Sequence, residues 1–212
     1  MNMRLVLASN NAKKLVELDA LFAPLGLTLV AQGTLGIGET EEPHATFLEN
    51  ALAKARHAAL LAGGAAIADD SGLCVDALGG EPGVHSADFA PLSGLPLEDR
   101  EAQRRLQDEA NNRLLLERLD GVGDRRARYV STLVALRAVD DPEPLVATGR
   151  WDGEILSAPQ GTGGFGYDPL MHIPALARTV ATLSAGAKNQ HSHRAIAARA
   201  MLALMRKVWH LG

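Results

Sequence analysis

Short apolar runs alternate along this chain with stretches whose apolar residues recur every three or four positions, the pattern of strands interleaved with helices. Leu5-Val6-Leu7-Ala8 reads as a first buried strand. The polar Ser9-Asn10-Asn11-Ala12-Lys13-Lys14 follows at once, then Leu15, Leu18 and Phe22 at helical spacing, with Pro24 and Gly26 as a stop. Leu27 to Ala31 predicts a second strand. Thr46 with Glu49 three residues on forms a capping box, and the helix it opens carries Leu48, Leu52, Ala55 and Ala59 as its apolar stripe to about Ala62. Ala65 to Ala68 reads as a buried strand that ends in the acids Asp69 and Asp70. Beyond a loop with Pro82, Pro91, Gly94 and Pro96, Leu97 to Leu119 predicts a long helix with alternating charge, a solvated face. Ala127 to Val139 and Leu145 to Leu156 read as an antiparallel hairpin turning at Asp140-Asp141-Pro142-Glu143-Pro144. Ser192 caps a last helix to about Trp209, with Ile196, Ala200 and Leu204 facing a core.

Composition narrows the class. A chain of 212 residues with 47% hydrophobic content can bury a sizeable core as one domain, the hairpin and its flanks being a candidate second lobe. Only 4% of residues are aromatic, so any ring beside a polar loop carries more information. A net charge of −4 speaks against coating nucleic acid, which calls for a basic excess. Cys74 is the sole cysteine, so no intrachain disulfide forms, and Leu73 and Val75 beside it favour a core thiol. No signal-peptide core opens the chain, and its longest uncharged stretch, Ala58 to Ala68, falls short of the roughly 18 residues a membrane span needs. The expectation is a cytoplasmic protein without membrane or nucleic-acid partners.

Five stretches carry chemistry. Asp69-Asp70-Ser71-Gly72 offers paired carboxylates without a basic neighbour in sequence, which suits Mg²⁺ or a proton-transfer role, or else a simple turn. Side-by-side repulsion gives a bare turn no use for the second acid, which favours the metal or the proton-transfer role. Ser9 to Lys14, at a strand-to-helix junction, offers N–H groups and ammonium charge to a phosphate, or is an ordinary cap with solvated lysines. It contains no P-loop or G-x-G-x-x-G. Glu39-Thr40-Glu41-Glu42 is a solvated loop or a further carboxylate source, and Lys54 matters if its helix face looks into the site. Gly161 to Pro169 packs four glycines, Phe165 and Tyr167 together, so that backbone can approach a ligand while a ring covers a planar group; the alternative is a turn whose rings plug the core. His191 and His193 form an H-x-H pair without a third ligand for zinc, and His193 with Arg194 fits better as donors to a ligand.

Taken together, Ser9 to Lys14, Phe47-Leu48-Glu49-Asn50-Ala51, Ala68 to Leu73, Gly164-Phe165-Gly166-Tyr167-Asp168-Pro169 and Ser192-His193-Arg194 resemble the inosine triphosphate pyrophosphatase family in order over nearly the whole chain. The resemblance implies an α/β fold, a long mixed β-sheet with flanking helices forming two lobes around a central nucleotide cleft, within a single domain spanning 1–212. It implies a homodimer that hydrolyses dITP, ITP and XTP to the monophosphate and pyrophosphate with Mg²⁺. By position, Asp70 would be the general base and a metal ligand, and Glu41 the second metal carboxylate, with Asp69 assisting through its charge or a metal-bound water. Ser9, Asn10, Asn11, Ala12, Lys13 and Lys14 would bind the triphosphate, Lys54 and Lys188 would neutralise it, and Ser71 would touch substrate. Phe165, Gly166, Tyr167 and Asp168, with His193 and Arg194, would hold the base. Asn10 stands where many relatives carry Gly, which adds a side chain to the phosphate loop.

Overall fold

The computed structural model describes residues 4–23, 27–92 and 99–211. Seven strands form one sheet in the order β2-β1-β3-β4-β5-β6-β7: β1 (Arg4–Leu7), β2 (Thr28–Ala31), β3 (Ala66–Val75), β4 (Arg126–Leu136), β5 (Leu145–Ile155), β6 (Met171–Ile173) and β7 (Arg178–Thr179). Among the described residues five α-helices accompany them: α1 (Ala12–Phe22), α2 (Phe47–Ala62), α3 (Arg100–Arg118), α4 (Ala185–His191) and α5 (His193–Val208). The sheet is mixed, because β1 runs parallel to both β2 and β3 while β6 runs antiparallel to β5 and β7. The expected stop at Pro24 and Gly26, the helix start at Leu97 and the loop residues Gly94 and Pro96 lie outside the described residues.

The chain divides into two compact units, one of residues 1–71, 131–150 and 189–212, the other of 72–130 and 151–188. In the first, strand alternation sorts side chains to two faces. Leu5, Leu7, Ile67, Leu133 and Ala135 join one cluster with Leu18 and Phe22 of α1 and Ala197, Ala198, Met201 and Met205 of α5. Their neighbours Val6, Ala8, Ala66, Ala68, Val134 and Leu136 join a second cluster with Ala51, Ala55, Ala58 and Ala59 of α2. Each strand is thus apolar on both sides, which is why these runs read as continuous rather than alternating. The second unit has its own cluster, including Leu73, Leu115, Tyr129, Trp151, Tyr167 and Met171.

One expectation is overturned in kind. β3 does not end at the acids and they form no turn: the strand runs on from Ala66 through Asp69 and Asp70 to Val75. The charges persist inside a strand because partners from three helices and β4 meet them, as described next. The short β6 and β7 and the helix α4 had no distinct signal in the hydrophobic pattern.

Candidate active site

In the first unit, β1 delivers the chain to the phosphate-type loop. Ala8 N–H bonds to Ile67 O (2.8 Å), which seats Ser9 beside the acid-bearing part of β3. Ser9 Oγ accepts from Asn11 N–H at 3.1 Å, and Asn11 Oδ1 caps α1 by accepting from the N–H groups of Lys13 (3.1 Å) and Lys14 (3.3 Å). Lys14 therefore sits in the first turn, where the helix dipole and its own ammonium both favour an anion. Ala12 and Lys13 are exposed. Asn10 Oδ1 is buried without a hydrogen-bond partner, and a Cβ on Gly33 would stand 2.6 Å from it.

The same alternation that sorts the core sorts the two acids. Asp69 shares the parity of Ile67 and points to the side of α1 and α5; Asp70 shares the parity of Ala66 and Ala68 and points to the side of α2. Their mutual repulsion, the ground for reading them as a metal or proton-transfer site, is relieved by this divergence, and each has its own cations. Asp69 takes Lys14 Nζ at 2.9 Å, Arg194 Nε at 3.2 Å, Ser71 Oγ at 3.0 Å and Ser131 Oγ at 2.7 Å. Burial opposes its charge, but Lys14 and Arg194 outweigh burial and hold the carboxyl well below the usual range. Arg194 also donates to Glu17 Oε2 (3.0 Å) and Ser71 Oγ (2.8 Å), so its guanidinium ties α1, β3 and α5 together. Glycine is required at position 149 for this: a Cβ there would lie 2.0 Å from His193 O, so β5 accepts the start of α5 only without a side chain. Ser192 caps that helix through Ala195 N–H at 3.2 Å.

On the α2 side, Lys54 Nζ donates to Asp70 Oδ1 and to Glu42 Oε2, both at 2.7 Å. The helix face bearing Lys54 does look into the site. Burial is the main force on Asp70; with Glu42 beside it, burial pushes the carboxyl up to about 6 despite Lys54. Glu42 moves the other way, because Lys54 overcomes its burial, and the adjacent carboxyls titrate as a pair. Burial likewise disfavours the Lys54 charge, but the two carboxylates raise its pKa above the ordinary value. Asp70 Oδ2 is buried and accepts no hydrogen bond, while the Glu42 carboxyl lies against the same carboxyl group. Lys14 is shifted down by burial and by the charges of Arg194 and Lys54, against the pull of Asp69. A further anion would relieve that repulsion.

In the second unit the glycine-rich loop closes on Asp168. Its Oδ2 accepts from Phe165 N–H (3.0 Å) and Lys188 Nζ (2.8 Å), and its Oδ1 from Tyr129 O–H (3.0 Å). Lys188 Nζ lies 4.4 Å from the centroid of the Phe165 ring. Gly164 has φ +76, and a Cβ there would stand 2.1 Å from Asp168 Oδ2, so the carboxylate folds under the loop only because that residue is glycine. Helix α3 grips Gly166 at both ends: Asp108 Oδ2 accepts its N–H at 2.8 Å and Asn112 Nδ2 donates to its carbonyl at 2.9 Å. Tyr167 is buried and donates to Ser86 O at 3.0 Å. Of the two readings of this stretch, the plugged core describes Tyr167, whereas Phe165 is only half-buried.

The structure thus joins Lys14, Ser71 and Arg194 around Asp69, with Ser9 and Asn11 shaping the turn that carries Lys14, joins Lys54 to Asp70, and joins Phe165, Gly166, Asp168 and Lys188 in one loop network. Glu41 and Glu42 are both exposed, and it is Glu42 that reaches Lys54 and Asp70. No sequence pattern separates those adjacent glutamates. Asn50 does so in the fold, because its buried amide accepts from His44 N–H (3.0 Å) and donates to His44 O (3.2 Å), fixing the chain just past Glu42. Ser131, Glu17, Asp108, Asn112 and Tyr129 also went unread; Tyr129, one of two tyrosines, left the faintest of signals as a polar-tipped ring within a strand. No cluster of three or more His, Cys, Asp or Glu that could hold a metal occurs among the described residues.

Fold and site together define an α/β protein that holds two buried acids of one strand against Lys14, Arg194 and Lys54. The sequence model of the Ham1 family matches residues 5–204. The chain is 70% identical over 207 residues to the dITP/XTP pyrophosphatase of Methylibium petroleiphilum, covering 98% of this chain and 99% of that one, and 67% identical over 211 residues to that of Leptothrix cholodnii, covering 99% and 100%. A HAM1 protein from Coxiella burnetii superposes with a TM-score of 0.85 at 36% identity, over 97% of this chain and 100% of that one. A nucleoside-triphosphatase / dITP/XTP pyrophosphatase from Mycobacterium abscessus gives 0.69 at 37% identity, over 99% and 100%. The chain belongs to the Ham1 family.

Proposed function

We propose that this protein is a Mg²⁺-dependent nucleoside triphosphate pyrophosphatase that converts dITP, ITP and XTP to the monophosphate and pyrophosphate, clearing non-standard purines from the nucleotide pool. The substrate class follows from the relatives' names. The observation that carries the chemistry is Asp70: a buried carboxyl beside Glu42 pushed up to about 6, with one oxygen on Lys54 and the other accepting no hydrogen bond. A base with a pKa near the working pH combines the right protonation state with driving force. Asp70 orients a water, takes its proton as the oxygen attacks the α-phosphorus, and pyrophosphate leaves.

The residues fit a dication. Two carboxylates, Asp70 and Glu42, already converge on a cation, the Lys54 ammonium, and Asp70 retains an unmatched oxygen. Glu42 therefore takes the place that the resemblance gives to Glu41. Bound there, Mg²⁺ supplies charge to the phosphoryl oxygens that develop negative charge in the transition state. Lys14 and Lys54, with the N–H groups of the Ser9–Lys14 turn, neutralise the triphosphate, and Asp69 keeps Lys14, Arg194 and Ser71 in place. The resemblance gives the base to Phe165, Gly166, Tyr167 and Asp168 with His193 and Arg194, and Lys188 to the triphosphate; of these, the half-buried Phe165 is the ring offered to the base, while Tyr167 is packed in the core. Because three protein donors occupy its carboxylate, Asp168 serves by organising the loop. A homodimer and a cytoplasmic location belong to the same reading; among the described residues no helix is long and apolar enough to cross a membrane.

The test is pyrophosphate release by purified protein with Mg²⁺ from dITP and XTP beside dATP, dGTP and dTTP. A donor facing O6 would be left unpaired by an adenine amino group, so dITP should exceed dATP in kcat/KM by roughly ten- to a hundredfold. Equal rates on all five would reject the 6-oxo purine pocket, and no release from any would reject the hydrolase.

A further inference from the structure

We infer that Tyr129 of β4 is a positioning residue for substrate: its hydroxyl fixes the Asp168 carboxylate and, through it, Phe165 and Lys188. The inference rests on the base-holding role proposed for that loop. Tyr129 is 6% exposed and Asp168 4%, and the Tyr129 ring lies in the apolar cluster with Leu73, Leu115, Trp151 and Tyr167. In such surroundings a phenylalanine would pack equally well, and a buried hydroxyl costs free energy unless it is bonded. Its bond runs to Asp168 Oδ1 at 3.0 Å.

The geometry gives that bond a consequence beyond its own strength. Both contacts that shape the loop, from Phe165 N–H and Lys188 Nζ, converge on the other oxygen, Oδ2. The carboxylate torsion of an aspartate is soft, so two donors on one oxygen leave the group free to swing. A donor on Oδ1, reaching in from a strand and not from the loop, removes that freedom. It sets the height of the Phe165 backbone and the seat of Lys188 over the Phe165 ring at 4.4 Å before substrate arrives. Preorganisation of this kind acts on binding and leaves the reacting groups in the first unit untouched.

Tyr129→Phe deletes the one atom in question. With dITP and Mg²⁺ it should raise KM roughly fivefold, the scale of one net hydrogen bond, with kcat within about twofold of wild type. In the ligand-free protein the Phe165 amide, followed by NMR, should shift and broaden as its acceptor loosens. A lowered melting temperature with unchanged KM and an unchanged Phe165 amide would mark a merely structural hydroxyl and overturn the inference, as would a fall in kcat alone. Should the wild type release no pyrophosphate from dITP, the proposed function fails, and the Phe165 amide in Tyr129→Phe still decides the positioning claim.

Discussion

Asp70 in the first unit and Asp168 in the second are buried to a similar degree, 6% and 4% exposed, yet they are treated in opposite ways. Asp168 has three donors from three separate stretches of chain, and both of its oxygens are occupied. Asp70 has one donor, which it shares with Glu42, and one oxygen that accepts no hydrogen bond. A fold that satisfies a buried carboxylate so fully in one place has left another short where a ligand would complete it. The first arrangement holds a loop; the second is poised to take a proton or a cation. Asp69, next to Asp70 in sequence, sides with Asp168: four donors surround it and its charge is secure. Neighbouring residues differ this much because β3 sends them to opposite faces.

The largest effect that would break this comparison is on rate. Asp70→Asn keeps the shape and removes the base, so turnover of dITP should fall about 10²–10⁴-fold, the range of general-base catalysis. Asp168→Asn should act mainly on KM and lower kcat far less. Steady-state kinetics of the two variants side by side reads this directly, and equal losses of kcat would erase the distinction between reacting and holding.

Stability should separate them in sign. With its folded pKa near 6 against an ordinary 3.8, Asp70 binds its proton more tightly in the folded state. Stability from that group is therefore complete below about pH 4 and is lost as pH rises through about 6; the gap corresponds to at most about 3 kcal/mol, reduced by the opposite shift of Glu42. In metal-free protein Asp70→Asn should consequently melt higher than wild type at pH 7 to 8, by roughly 2–8 °C, with the advantage fading towards pH 4. Asp168→Asn leaves buried Lys188 without its counter-charge and should cost about 3–5 kcal/mol. Thermal melts in chelator across pH check both. A stabilised Asp168→Asn, or a destabilised Asp70→Asn at pH 8, would contradict the assignment.

How much of this could be read from sequence follows the same division. Local signals were legible: the Asn11 cap, the capping box in which Thr46 Oγ1 accepts from Glu49 N–H at 3.3 Å and donates to Glu49 Oε2 at 2.6 Å, and the Ser192 cap all stand where their residue types predict. The apolar runs gave the strands of the first unit, since strands buried on both faces are the simplest to see. What stayed hidden depends on partners distant in sequence. Two adjacent acids look like a strand end or a turn until Lys14, Lys54, Ser131 and Arg194 are seen to reach them. β6, three residues long, and β7, two, are too short for periodicity to register. Tyr129 acquires a role only through a loop 39 residues away in sequence.

The smallest contrast lies between two adjacent glutamates and sharpens what completes Asp70. Glu42 is carried to Lys54 because Asn50 clasps His44 on both backbone atoms, and chain direction then leaves Glu41 exposed. If Mg²⁺ is held by Asp70 and Glu42, Glu42→Gln removes one of its two charged ligands and should raise the Mg²⁺ concentration for half-maximal rate about tenfold, whereas Glu41→Gln should shift it less than about twofold. The same order should appear without turnover, as Mg²⁺-induced protection against thermal unfolding, because a ligand stabilises by RT ln(1 + [L]/Kd). Glutamine can still accept from Lys54, so a loss in Glu42→Gln reports on charge at the cation and not on the loop's anchorage. A larger shift in Glu41→Gln than in Glu42→Gln would return the second carboxylate to Glu41.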